Sequence, residues 1–228
     1  MTNTVITKVL VGSRLHGLHN AQSDYDYRGI HITPLKEVLS PFKAVGNTNW
    51  IEGAVDNTSY ELADFCKQAT HGNATILEVL FSDKIVESSP IADKMRHNWQ
   101  KFIDTDKVVM ASRGYASNQL NKMQLFDDIG VKDQKRTSKF AVAYCRVLWQ
   151  CSEFLKTGQF PCQIPDGDLK IFLIKLRLGW KDEYIPECTE LFAQLQAEVT
   201  KNWKTASKLK PDVEWIEEFI YEAYSSNM

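Results

Sequence analysis

The sequence predicts an α+β protein, a small α/β head followed by an all-helical tail with the boundary near residue 105. Three observations carry this. Residues 5–11 (VITKVLV) are rich in β-branched side chains and run straight into Gly12-Ser13, the pattern of a buried strand ending at a tight turn. Residues 25–32 (YDYRGIHI) alternate polar and bulky side chains and stop ahead of Pro34, which reads as a second strand. From about residue 90 the apolar spacing lengthens to that of amphipathic helices and stays there to the end of the chain.

Between these, residues 35–53 contain Pro41, Gly46 and Gly53 and read as a short helix with irregular structure. From Asp56 to about Ala69 the chain starts extended and turns helical, with Leu62, Phe65, Cys66 and Ala69 on one face; Gly72-Asn73 breaks it, and residues 74–81 resume. Helices are expected at 91–102 and 108–126. The polar stretch 131–138 reads as a connector. Residues 139–157 form an amphipathic helix with Phe140, Ala143, Val147, Leu148, Cys151, Phe154 and Leu155 inward, stopped by Gly158. Pro161 and Pro165 enforce an extended passage, and further helices follow at about 166–177, 183–207 and 211–226, the last with Asp212 as a first-turn anion.

Composition bounds the function. With 228 residues, 43% hydrophobic and 25% charged, the chain is ordinary for a globular protein, large enough for one core or a modest core with a helical subdomain. A net charge of −2 gives no global attraction to nucleic acid, so any grip on RNA must be local. No apolar stretch approaches a membrane span, no secretory leader is expected, and five cysteines without CxxC spacing read as reduced thiols; the cytoplasm is the expected compartment. No P-loop, GxSxG elbow or HExxH pair occurs.

The chemistry concentrates in Gly12-Ser13-Arg14-Leu15-His16-Gly17 and Ser23-Asp24-Tyr25-Asp26-Tyr27-Arg28-Gly29. Glycine at position 12 lets the backbone approach a ligand, and Ser13 can offer its hydroxyl and N–H to a phosphate. On a strand, residues two apart share a face, so Asp24 and Asp26 would project together. Paired carboxylates repel unless a hard cation lies between them, and Mg²⁺ (or Mn²⁺) is the natural occupant. A third carboxylate would complete a two-metal site. Asp56, about 30 residues on, is the candidate, with Glu52 and Glu61 as rivals.

A GS turn followed by an acidic D-x-D strand resembles the DNA polymerase β nucleotidyltransferase superfamily. The longer run from Gly12 through Gly17 and Ser23 to Gly29 is similar to its RlaP/YcgL-type branch of bacterial and phage proteins, associated with RNA repair. Asp56 followed by Tyr60-Glu61-Leu62, the Gly72–Phe81 run, and Lys139 with Arg146 in a helix ending Thr157-Gly158 extend the likeness in the same order. The resemblance implies a polymerase β-type head with a mixed sheet of about four or five strands (1–105) and a helical C-terminal subdomain (106–228). It implies transfer of a nucleoside monophosphate from an NTP such as ATP to a hydroxyl on an RNA end, a protein or a small molecule. Asp24, Asp26 and Asp56 would be catalytic metal ligands, and Gly12, Ser13, Arg14, Lys139 and Arg146 would bind the nucleotide. The chain departs from the branch at Ala143, where a histidine is usual three residues before the arginine, and in its short segment ahead of Gly12. These departures keep a non-catalytic binding or regulatory protein of the same fold as the alternative.

Other residues read more plainly. His16, like Arg14, reads either as a triphosphate contact or as simply solvating the loop, and Arg28 braces the carboxylates. His19, His31, His71 and His97 lack metal spacing. Lys139 and Arg146, seven apart, share a helix face. Lys132, Lys135, Arg136 and Lys139 read as a charged linker, with an RNA-contact loop as the alternative. Trp149, Trp203 and Trp215 read as core.

Overall fold

The computed structural model describes residues 2–52, 55–128 and 134–226; the side chains of 52, 55–56, 124–128 and 134 lie outside the description. Its fold is α+β, a five-stranded mixed sheet with flanking helices and a helical region. The chain divides into two compact units, residues 1–104 with 209–228, and residues 105–208.

In the first unit the strands are β1 (Thr4–Val11), β2 (Asp26–Ile32), β3 (Thr48–Glu52), β4 (Val55–Glu61) and β5 (Ile85–Ser88), in sheet order β3-β4-β2-β1-β5. Among the described residues only β2 and β4 run parallel. A parallel pair needs a crossover, and the chain between β2 and β4 supplies it with α2 (Leu35–Val38) and the edge strand β3. Strands β3 and β5 interrupt regions where the sequence suggests irregular structure or nothing. Each is short: β5 has four residues, all exposed, and so lacks the half-buried alternation by which a strand is read.

One sheet face is apolar. Val9, Val11, Ile30 and Ile32 are buried there, together with Leu62 and Phe65 of α3 (Leu62–Thr70), Ile76, Leu77 and Leu80 of α4 (Ala74–Phe81), and Met95 of α5 (Pro90–His97). The helix starts follow from side-chain oxygens that satisfy free N–H groups: Glu61 accepts from Ala63 and Asp64, Asn73 from Thr75, Ser89 from Ala92. Across the sheet, His31 Nδ1 and Ser59 Oγ are 2.8 Å apart, linking β2 to β4. Burial holds the His31 imidazole below its ordinary pKa, while the Glu61 carboxylate and the Gly46 carbonyl pull it upward.

The final helix, α10 (Val213–Ser225), belongs to this unit, whereas the sequence places it with the helical tail. Phe219 and Trp215 stack at 5.3 Å and meet Phe102 edge-on at 6.0 and 5.7 Å. Lys101 Nζ pairs with Asp212 at 2.7 Å, Asp212 N–H donates to the Lys101 carbonyl at 2.9 Å, and Tyr224 donates its hydroxyl hydrogen to Glu61. Asp212 also caps α10 by accepting from Trp215 N–H.

The second unit is built on α6 (Thr105–Asp128), α7 (Gln134–Thr157), α8 (Asp168–Leu178) and α9 (Ile185–Thr205). Helix α7 begins at Gln134, so residues 134–138 of the expected connector are helical, and Lys132 lies outside the described residues. Its buried face is wider than expected. Ala141, Val142, Tyr144 and Cys145 join Val147, Leu148, Cys151, Phe154 and Leu155, while Phe140 and Ala143 are half-buried. Gly158, at φ +75°, ends it by donating to the Phe154 carbonyl. All five cysteines are buried and free. Trp149, Trp203 and Trp215 are half-buried; Trp203 Nε1 donates to Asp106 at 2.9 Å. Among the described residues no helix is long and apolar enough to cross a membrane.

Two outcomes follow. Phe219→Ala should cost about 3–5 kcal/mol, read as a lower urea midpoint. Because folded His31 takes up a proton less readily than in the unfolded chain, its contribution is intact above about pH 6.5 and is lost as pH falls. His31→Asn should therefore flatten the fall in unfolding free energy between pH 7 and pH 5.

Candidate active site

The GS turn and the acidic segment meet through sheet register. Val11, the last residue of β1, pairs with Asp26, the first of β2. Gly12 leaves the strand beside that carboxylate and opens a single helical turn, α1 (Gly12–Leu15). Its φ of +68° is a left-handed conformation that side chains disfavour, and a Cβ there would stand 2.3 Å from Asp26 Oδ2. The carboxylate is thus pressed against bare backbone, and no residue but glycine fits at position 12.

Asp24 precedes the strand instead of lying on it, and is exposed; Asp26 is half-buried. What shapes the Asp24 loop is Arg14. Its Nη2 donates to the Ser23 carbonyl at 2.8 Å, and its Nε lies 3.2 Å from the carbonyls of both Ser23 and Asp24. The guanidinium carbon lies 3.6 Å from the centroid of the Tyr25 ring. Charge-assisted bonds from a planar guanidinium, reinforced by a ring contact, make this a clamp between α1 and the acidic loop. Ser23 adds to it: Oγ accepts from Asn20 N–H at 3.0 Å and lies 3.1 Å from Asn20 Oδ1, which also accepts from Gln22 N–H. Arg14 therefore engages the loop through its guanidinium. His16 is buried with its Nε2 3.6 Å from Glu78 Oε1.

Asp56 lies on β4 with its backbone paired to Ile51; its side chain, like that of Glu52, lies outside the description. The parallel register pairs Arg28 with Thr58. The same offset, carried two residues back along both strands, sets Asp56 level with Asp26. Between them runs a hydrogen bond that sequence reasoning did not anticipate: Tyr27 N–H donates to the fully buried Asn57 Oδ1 at 2.7 Å. Glu61, the other rival carboxylate, is buried and occupied by the α3 cap and Tyr224. Arg28 donates to the Tyr27 carbonyl at 3.0 Å and opposes the rise that burial imposes on the Tyr60 phenol. Its Nε is buried without a hydrogen bond among the described residues.

Among the described residues no three His, Cys, Asp or Glu side chains cluster at metal distance. Lys139 and Arg146 belong to the helical unit; Lys139 is exposed, and Arg146 Nη1 donates to Gln150 Oε1 at 2.9 Å. Lys135 and Arg136 are exposed on the same helix.

Residues 2–167 match the family described as RlaP, RNA repair pathway DNA polymerase beta family. The chain belongs to that family. The match covers the sheet, the GS turn, both aspartates and the full length of α7. Over 110 residues the chain is also 33% identical to an uncharacterized protein of Methanocaldococcus jannaschii, a stretch covering 41% of this chain. The chain thus spans less than half of that relative, 45% of its length. Family membership supports a nucleotidyltransferase-type function in general.

If Arg14 is the clamp, Arg14→Ala should raise amide hydrogen exchange over residues 20–25 about tenfold, the loss of roughly one charge-assisted hydrogen bond. Arg14→Lys should recover little of it, since an ammonium lacks the fork that reaches both carbonyls.

Proposed function

We propose that this protein transfers a nucleoside monophosphate from an NTP to a hydroxyl acceptor, with release of pyrophosphate, at a metal-assisted site formed by Asp24, Asp26 and Asp56. The observation that carries this is the register: Val11 against Asp26 and Arg28 against Thr58 bring the GS turn, Asp26 and the Asp56 backbone to one end of the sheet. The donor set suits a hard divalent cation such as Mg²⁺ or Mn²⁺, being carboxylate oxygen next to backbone that a Cβ would block. When bound, such an ion supplies charge neutralisation of the triphosphate and a lowered pKa for the acceptor hydroxyl.

The residues divide the rest. Asp24 and Asp26 hold the cation, with Asp24 kept in place by the Arg14 clamp. Gly12 and Ser13 offer N–H groups and a hydroxyl to the terminal phosphates without a side chain at position 12 to obstruct them. Asp56 accepts the proton as the acceptor oxygen bonds to the α-phosphorus and the bond to pyrophosphate breaks. Positioning and charge neutralisation carry most of such a reaction.

Calorimetric titration with each of the four NTPs in Mg²⁺ tests the reading. Wild type should bind at least one, ATP included among the probes, and Asp26→Asn or Asp24→Asn should weaken that binding and reduce transfer by roughly a hundredfold or more, with unchanged thermal stability. Absence of Mg²⁺-dependent NTP binding by folded wild type would sink the assignment in favour of a non-catalytic member of the family.

A further inference from the structure

Strand β2 has a second face that the carboxylate site leaves unused. Asp26, Arg28, Ile30 and Ile32 point one way along the strand, and Tyr27, Gly29 and His31 the other. On that second face the head contains a cavity of about 310 Å³, lined by Lys8, Gly29, His31, Thr48, Trp50, Ser59 and Glu87 among others. We infer that this cavity binds a nucleobase.

The lining selects the ligand. Trp50 of β3 is half-buried and gives an indole wall, and Lys8 Nζ lies 5.7 Å from its ring centroid and 4.3 Å from that of Tyr27, which is not part of the lining, so an indole and a cation bound one side. Rings of this kind stack on any base, and the cation strengthens the arrangement. The rest of the lining mixes donors and acceptors: the hydroxyls of Thr48 and Ser59, the His31 imidazole and the Glu87 carboxylate. His31 is almost fully buried, bonded to Ser59 through Nδ1, with the Gly46 carbonyl also acting on its ring. A carboxylate in the lining disfavours a phosphate, and hydroxyls and an imidazole disfavour an aliphatic ligand. A flat, neutral heterocycle with a mixed hydrogen-bonding edge satisfies both conditions. The volume falls at the small end of ligand sites, about 300 to 1,000 Å³, which suits one base and not a larger cofactor.

Position gives the cavity its meaning. Gly29 stands three residues beyond Asp26, roughly 10 Å along the strand. Two sources can supply a base at that distance: an unpaired nucleotide of an RNA acceptor whose end lies at the carboxylates, or the donor nucleotide itself. The choice between these rests on the transferase reading; the cavity does not.

The experiment uses two probes on the full chain: anisotropy of a fluorescein-labelled, eight-nucleotide single-stranded RNA of mixed sequence, and calorimetry with Mg²⁺-ATP. Trp50→Ala should weaken binding of one probe about tenfold or more, as loss of one stacked base does, while Trp50→Phe retains most of it. A loss confined to RNA assigns the base to the acceptor, and a loss confined to ATP assigns it to the donor. RNA binding that survives Asp26→Asn and fails in Trp50→Ala separates this cavity from the carboxylate site even if no NTP binds. Should Trp50→Ala lose its circular dichroism spectrum, Lys8→Gln serves in its place, with a weaker loss in the same probe. Unchanged binding of both probes in the folded variants, or no binding of either by wild type, overturns the inference.

Discussion

The close approach of the Gly12 backbone to the Asp26 carboxylate is the constraint around which the head is arranged. It requires β1 to end opposite the start of β2, a left-handed turn at the crossing, and a position with no side chain. Each requirement reaches outward. Ending β1 at Val11 keeps Val9 and Val11 in the core beneath α4, and starting β2 at Asp26 keeps Ile30 and Ile32 on the same apolar face. The turn then continues into α1, whose Arg14 reaches across to the acidic loop. Substituting even alanine at position 12 would set a methyl group against a carboxylate oxygen and force an unfavourable φ at once.

The carboxylates of the head sort by their partners. Glu61 is buried and satisfied by two helix N–H groups and a phenol; Glu78 is buried beside His16. Asp212 is held by Lys101, whose hydrogen bond keeps that carboxyl below its ordinary pKa, with the Trp215 N–H adding to the effect. These acids serve architecture. Asp24 and Asp26 differ in standing at the rim of the sheet, the first exposed and the second against a glycine. Some carboxylates of the head are thus buried and hydrogen-bonded, while these two stand at open backbone.

Much of this was legible in the sequence because local chemistry dictates it. The β-branched run before Gly12, the alternation of residues 25–32 and the Gly158 stop all act through backbone preferences of a few residues, and the observed elements follow them to within a residue or so. The α+β class and the polymerase β-type family were legible for the same reason, since the GS turn and D-x-D lie close together in the chain. What was not legible depends on distant partners. Strand β3 exists because β4 offers an edge, and nothing in TNWIE alone distinguishes it from a loop. The engagement of Arg14 with the acidic loop turned on the carbonyls of Ser23 and Asp24, whose direction no side-chain pattern encodes. Asn57 showed only as one polar residue in a polar run, although it bridges β4 to β2. The final helix carried its apolar stripe openly, yet the stripe does not say which unit it covers.

That final helix also sets an order of events during synthesis. Lys101 and Asp212, which meet at 2.7 Å, are separated by 111 positions in the chain. All four long helices of the second unit leave the ribosome before α10 does, so they are complete while Phe102 still lacks its ring partners and Glu61 its phenol. Closing so long a loop carries an entropic cost that grows only slowly with its length, and a folded insert shortens the distance the chain must search. A ribosome stalled before residue 213 would therefore hold a sheet with its acidic rim assembled and one flank of its core open to chaperones.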